Sequence, residues 1–524
     1  MIRILTLAAL VLAVTLGCSK TPDAPVTAIA PAAKASGIEW IKPQNVADVD
    51  RAFETARASS RPVFLFWTAV WCPPCNQVKS TIFTRPEFIE KSRSFVPVYV
   101  DADSPSGQVL GERFKVRGYP TMVLLDGNGR ELTRLAGSVD AATYMQLLDR
   151  GLAGGNSAKQ ALEAALAGRA LPDTDWHMLA FYSWETDDGQ LVPEREVPAT
   201  LLRLATVCPV AQRESSSRLL LQALGSTAQS KEAKPRLDKA DAIASVRSLL
   251  AQPQLVRDNY DLVGVAADDI VGLLTAPKSK ERGELVAQWN AALDRLAADT
   301  TLSNEGRMYA MFGKVSLARL DHRDGPLPAS LIEDIRAQAA RADHATTDLD
   351  ERQAVITTAG AVLARAGLLD ESDALLQAEL ARSHSPYYYM SQLASNAKKR
   401  GPEGKAAAID WSRRAYESAQ GTATRLRWGG GYVNTLLELD PRDAKAIEQA
   451  ATQVIGELKA GDVALTGNNR AVLDRMSKRL LAWNKDGQHN DVLARLNDAM
   501  KANCAFNGVD RAWCDGLFAP AVRA

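Results

Sequence analysis

Cys72 and Cys75 stand two residues apart in Phe64–Ser80, "FLFWTAVWCPPCNQVKS". Trp71 precedes them, and Pro73 and Pro74 lie between them. A redox dithiol, half of a metal site and a plain turn all use that spacing. Redox chemistry makes a demand on position. Its nucleophile is the thiolate. A cysteine at a helix N-terminus sits beside unpaired backbone N–H groups and the positive end of the helix dipole, and both favour the anion. On that reading Cys72 attacks and is exposed. Cys75, one turn later, lies mostly buried behind it and can resolve a mixed disulfide. Proline is tolerated in a first helical turn, where its missing N–H was unpaired anyway. Two prolines remove two donors near the thiolate, which predicts a moderately reducing pair whose potential can be measured.

The elements that must position this pair are legible around it. "RPVFLFW" is too densely apolar for a surface strand and reads as a buried central one. The cysteines follow where that strand turns into a helix. Gln44–Ala58 places Val46, Val49, Ala52, Phe53 and Ala56 on one helical face. "FVPVYVDAD" is a second buried strand and "GQVLGERF" a short helix. "YPTMVLLDGNGRELTRLAG" is a hairpin around Asp-Gly-Asn-Gly. "DAATYMQLLDRGL" closes the unit with a helix capped by Asp140. The order is helix, strand, helix, strand, helix, strand, strand, helix. Tyr119-Pro120, in "VRGYPT", enters a strand from a turn and is a candidate cis bond.

Strand, "WCPPC", helix, then "VRGYPT", a hairpin and a last helix together resemble the thioredoxin superfamily. The resemblance covers roughly residues 38–153, and is nearest to a periplasmic branch that includes the C-terminal domain of the transmembrane disulfide-interchange reductase. It implies Cys72 as attacking and Cys75 as resolving thiol. It also implies a cis Pro120 beside them, and substrate binding at Trp71, Tyr119 and Thr121, with the Tyr119 backbone pairing to the substrate chain. No cofactor is implied beyond the Cys72–Cys75 disulfide. The sequence departs from the family where relatives keep a buried aspartate and its lysine partner. Phe66 and Tyr99 stand there, and nothing in the sequence places Asp101 or Glu54 as a replacement.

From Ser157 to about Ala502 the texture turns helical, with breaks at Pro, Gly and Asp. "GLLDESDALLQAELARS", "GPEGKAAAIDWSRRAYESA" and "LDPRDAKAIEQAATQVIGEL" begin about 35–40 residues apart, the range of stacked helix pairs. "LLELDP" resembles the end of a tetratricopeptide-type repeat, whose pattern is otherwise incomplete. The expected fold class is an α/β thioredoxin fold followed by a large all-α, solenoid-like domain. The expected layout is a signal at 1–18, a Pro/Ala-rich linker at 19–37, the thioredoxin-like domain at 38–153 and the helical domain at 154–524. "SPYYYMSQL", Trp411 and Trp428 add aromatics to the array, for packing or for a concave peptide-binding face.

Met1–Lys20, "MIRILTLAALVLAVTLGCSK", reads as an export signal with charged Arg3 and an apolar run too short for a span of ~20 residues. "TLGC" resembles a bacterial lipoprotein signal, which makes Cys18 the lipidation site. Ser19 after it favours the outer membrane. The expected setting is thus the periplasmic side of the cell envelope, with membrane attachment by lipid alone. Acids and bases balance at 62 each, so no basic surplus points to nucleic acid. An exported chain is disulfide-permissive. Cys504 and Cys514, in "NCAFNGVDRAWC", read as a structural disulfide, and Cys208 as a buried apolar residue. A zinc site lacks ligands: there is no second CxxC, and the five histidines (His177, His322, His344, His384 and His489) are scattered. Lys79 reads as a solvent-facing cation.

Two functions fit. One is an exported thiol–disulfide oxidoreductase, reductase or isomerase, acting on protein thiols and disulfides and recharged by a separate electron donor or acceptor protein. The other is an envelope scaffold whose helical array binds partners and whose redox activity is secondary.

Overall fold

The computed structural model describes residues 37–524 apart from 117, 136, 138–139, 232–234, 461–464, 466, 508–510 and 520–524, and leaves out the side chains of 459–460 and 504–507. The expected signal, lipidation at Cys18 and nearly all of the linker therefore lie outside the described residues.

Asn45 starts helix α1 (Val46–Ser59) with a capping box closed by Asp48, and Val49, Ala52, Phe53 and Ala56 turn inward. Strand β1 (Val63–Thr68) is buried at every position. It lies between β2 (Val96–Asp101), parallel, and β3 (Thr121–Leu125), antiparallel, and β4 (Glu131–Leu135) completes the sheet in the order β2-β1-β3-β4. The two-residue period sends Val63, Leu65 and Trp67 to one face of the sheet and Phe64 and Phe66 to the other. On the first face lie α1 and α4 (Pro105–Arg113). On the second lie α2 (Pro73–Thr81), α3 (Pro86–Lys91) and α5 (Ala141–Leu152), the last capped by Asp140. Helix α3 was absent from the expected order. Pro86 at its start and buried Phe88 explain it, since one anchoring residue is too little periodicity to read.

From Ala158 onward the described residues hold helices and short 3₁₀ turns, and no strand joins the four. Each helix from Lys280–Ala298 to Thr422–Leu439 packs on the next in sequence. No described helix is long and apolar enough to cross a membrane. Residues 37–524 form one compact unit. The core on the Phe64 face of the sheet continues through Trp176, Leu201 and Leu219 to Tyr387, Met390 and Ala415. Arg134 of β4 ties the two parts together. Fully buried, it pairs with Glu131 and donates to the carbonyls of Phe114, Lys115 and Thr186.

Candidate active site

Cys72 is the N-cap of α2, and its Sγ accepts a hydrogen bond from the Cys75 backbone N–H at 3.3 Å. Pro73 and Pro74 fill the first helical turn. The two sulfurs form a disulfide. The Tyr119–Pro120 peptide is cis, and Pro120 is buried. Thr121 opens β3, fully buried, with its hydroxyl on the Gly118 carbonyl at 2.8 Å. The rings of Tyr119 and Trp71 meet edge to face at 6.0 Å. The structure thus brings Trp71, Cys72, Cys75 and Tyr119 together at the C-terminal end of β1.

The expected exposure of Cys72 is not what the structure shows. Cys72 is 3% exposed and Cys75 0%. The helical part lies over the motif. Helix Leu349–Ala366 packs along α2, and its buried Gln353 reaches into the active-site turn. The Gln353 amide donates to the Trp71 carbonyl at 2.9 Å and accepts from the Asn76 side chain at 3.0 Å. Lys79 is half-buried, and its ammonium pairs with Asp350 of the same helix at 3.3 Å.

A second set of contacts holds Trp71. Its indole N–H donates to Asp103 at 2.6 Å, and the same carboxylate oxygen accepts from Thr424 at 2.5 Å. Tyr388 stacks on the Trp71 ring, Trp428 meets its edge, and the Arg427 guanidinium lies 4.7 Å from its centroid. The Tyr119 hydroxyl accepts from Asn468 at 2.6 Å. Burial, and then Asp103, push that phenol up to about 12. Two cavities flank Trp71. One of about 330 Å³ includes Asp101, Asp103 and His384 in its wall, and one of about 460 Å³ includes Tyr388, Arg427 and Trp428. Neither is lined by Cys72 or Cys75.

Phe66 faces Tyr99 across the β1–β2 pair, their rings 5.5 Å apart, and Trp40 and Phe83 close the cluster. An aromatic box therefore fills the space where the resemblance implied an aspartate and lysine. Asp101 lines the 330 Å³ cavity, where loss of water raises its carboxyl above the ordinary range against a hydrogen bond from the Asp103 backbone, with the Asp103 charge adding to the rise. Glu54 is an exposed residue of α1. Cys208 is buried and free, and burial pushes its thiol up to about 11. Cys514 is buried and disulfide-bonded, while the side chain of Cys504 lies outside the described residues.

The sequence reading missed Asp103, Gln353, Thr424, Arg427 and Asn468 as parts of this site. Gln353 is far from Cys72 in the chain and sits in an ordinary helical stretch, so no local pattern marks it. Tyr388 and Trp428 were visible as aromatics in the array, with no indication that they enclose Trp71.

Comparison with known proteins agrees with the fold. Residues 49–152 match the family described as thioredoxin-like domain. The chain is 34% identical over 104 residues to the thiol:disulfide interchange protein DsbD of Pseudomonas fluorescens, covering 19% of this chain and 18% of the relative. It is 30% identical over 121 residues to the protein of the same name from Ralstonia nicotianae, covering 22% and 20%, and 33% over 103 residues to that of Cronobacter sakazakii, covering 19% and 18%. The matches span about a fifth of those relatives' length. This chain thus carries a thioredoxin-like domain with a Cys72–Cys75 pair, similar in that part alone to thiol:disulfide interchange proteins.

Proposed function

We propose that this protein is a thiol–disulfide oxidoreductase of the bacterial envelope, a reductase or isomerase, in which the helical part governs which partners reach the dithiol. The observation that carries this is the Cys72–Cys75 pair at the N-terminus of α2 in a thioredoxin-like domain. In the reducing direction the Cys72 thiolate attacks one sulfur of a client disulfide. The client's other sulfur leaves as a thiolate and takes a proton. Cys75, deprotonated, then attacks Cys72 Sγ, the second client thiol leaves, and Cys72–Cys75 becomes a disulfide. Two electrons pass to the client, so a separate donor protein must restore the dithiol. Lipidation at Cys18, residence on the periplasmic side of the outer membrane and a tetratricopeptide-type array for partner binding belong to this proposal. The "TLGC" signal and the "LLELDP" break support them.

Insulin reduction tests it. The wild type should turn over insulin disulfides with dithiothreitol, and Cys72→Ser should abolish turnover. Cys75→Ser should leave clients trapped as mixed disulfides on Cys72, which names them. The burial of Cys72 favours a second reading, a scaffold whose redox activity is secondary. A wild type without thiol-dependent turnover would refute the first reading.

A further inference from the structure

The cavity of about 460 Å³ beside Trp71 lies between helices Pro386–Lys399, Lys405–Ser418 and Thr422–Leu439. Its size falls in the range of small ligand sites. One wall is aromatic, built by Trp71, Tyr388 and Trp428. Hydroxyls of Ser391 and Thr435 and the cations Lys398 and Arg427 line it as well. The two cations differ. Lys398 is neutralised by Glu438 at 2.7 Å. Arg427 is half-buried over the Trp71 ring, with no carboxylate within 4 Å and no hydrogen bond among the described residues. The guanidinium of arginine is a planar fork of N–H donors suited to a carboxylate. Here that fork lacks such a partner among the described residues. The other cavity that Trp71 lines has two carboxylates, Asp101 and Asp103, in its wall. Arg427 therefore favours an acid in the one cavity, and Asp101 and Asp103 disfavour it in the other.

A polypeptide that brings a disulfide to Cys72 passes Trp71, the residue before it. An extended chain advances ~3.3 Å per residue. Side chains one to three positions from the client's cysteine are then within reach of Arg427. We propose that this cavity is a docking site for an acidic segment of a client polypeptide, and that Arg427 receives a carboxylate borne near the client's reactive cysteine. The proposal rests on the reading of Cys72–Cys75 as an exchanging pair, and it assigns the helical part a specificity-determining residue. The cavity is formed while Cys72 is covered, so docking precedes the uncovering of Cys72, and in the oxidised protein it is read without exchange.

The test uses the oxidised full-length protein and two fluorescein-labelled hexapeptides. One carries glutamate on both sides of a serine that replaces the cysteine, and the other carries glutamine. Fluorescence anisotropy should show the glutamate peptide binding about 10-fold tighter, an advantage that shrinks as salt rises. Arg427→Gln should abolish that preference, and Arg427→Lys should keep part of it. Ser391→Glu retains Arg427 and puts a negative charge in the cavity, so it should abolish the preference too, and far-UV circular dichroism checks that each variant is folded. Equal binding of both peptides, or a preference that survives in folded Arg427→Gln, overturns the proposal. The peptides contain no cysteine, so docking is read without exchange. A wild type that reduces insulin and shows no acid preference overturns the docking proposal alone. A wild type that prefers the acid and fails to reduce insulin overturns the exchange reading alone.

Discussion

Glu305, buried at the start of helix Asn304–Arg319, has its carboxyl pushed up to about 7. Loss of water is the main cause, hydroxyls of Tyr309 and Thr358 oppose it, and Glu351 adds repulsion. The sign follows from proton counting. Between about pH 4.5, the ordinary value, and about pH 7 the folded protein holds a proton that the unfolded chain has lost. Stability contributed here is present below that window and falls as pH rises through it, by at most about 3 kcal/mol. Urea unfolding at pH 5 and pH 7.5 should show the wild type losing more stability than Glu305→Gln across that interval. Identical pH dependence in the two would refute the assignment. The same scale holds the site's least legible substitution. Phe66 and Tyr99 were readable as departures from the family, yet only packing shows that Trp40 and Phe83 complete their box, because ring contacts join residues far apart in sequence.

Elements were legible wherever local chemistry dictates them. Asp140 caps its helix, the run "VFLFW" is the buried centre of the sheet, and Pro73 and Pro74 open α2. How helices cross was not legible. Helix Tyr260–Val265 meets helix Asn304–Arg319 backbone to backbone at two glycines. A Cβ on Gly264 would lie 2.9 Å from the Tyr309 carbonyl carbon, and one on Gly313 would lie 2.7 Å from the Gly264 carbonyl oxygen. Alanine improves helix propensity by ~1 kcal/mol, but backbone cannot yield as a side-chain tip can. Gly264→Ala should therefore destabilise by about 1–3 kcal/mol in urea unfolding. Gly283, in helix Lys280–Ala298, has nothing within 4 Å of that position. Gly283→Ala should stabilise by roughly 0.5–1 kcal/mol. Equal effects at the two sites would refute the close crossing.

At the scale of the whole molecule, the thioredoxin-like part and the helices share a core, and the dithiol lies beneath their junction. Burial of both sulfurs predicts that reduction of Cys72–Cys75 is limited by opening of the cover. Gln353 makes two buried hydrogen bonds that exist only with the cover closed. Gln353→Ala leaves the Trp71 carbonyl and the Asn76 amide short of partners, a cost of ~1–3 kcal/mol borne by the closed state. The open population, and with it the rate of disulfide reduction by dithiothreitol, should rise about 10-fold at 1.4 kcal/mol. Maleimide gel shifts of the oxidised full-length protein, sampled over time, measure this. An unchanged rate would show that the cover does not limit access.

The sequence by itself determined the thioredoxin-like unit, the helical character of the rest and the pairing of Cys72 with Cys75. The element order and the helical character rest on short-range rules of hydrophobic period, capping and turn chemistry, while the thioredoxin-like assignment and the pairing came with the resemblance carried by "WCPPC" and "VRGYPT". Tertiary structure alone decided that Cys72 is covered, that Gln353 and Asp103 hold the active-site turn, and that Arg427 lies over Trp71. Those facts depend on which helix faces meet across hundreds of residues. Such meetings are set by the burial of apolar surface and the matching of buried polar groups over the whole fold, and no local pattern encodes them.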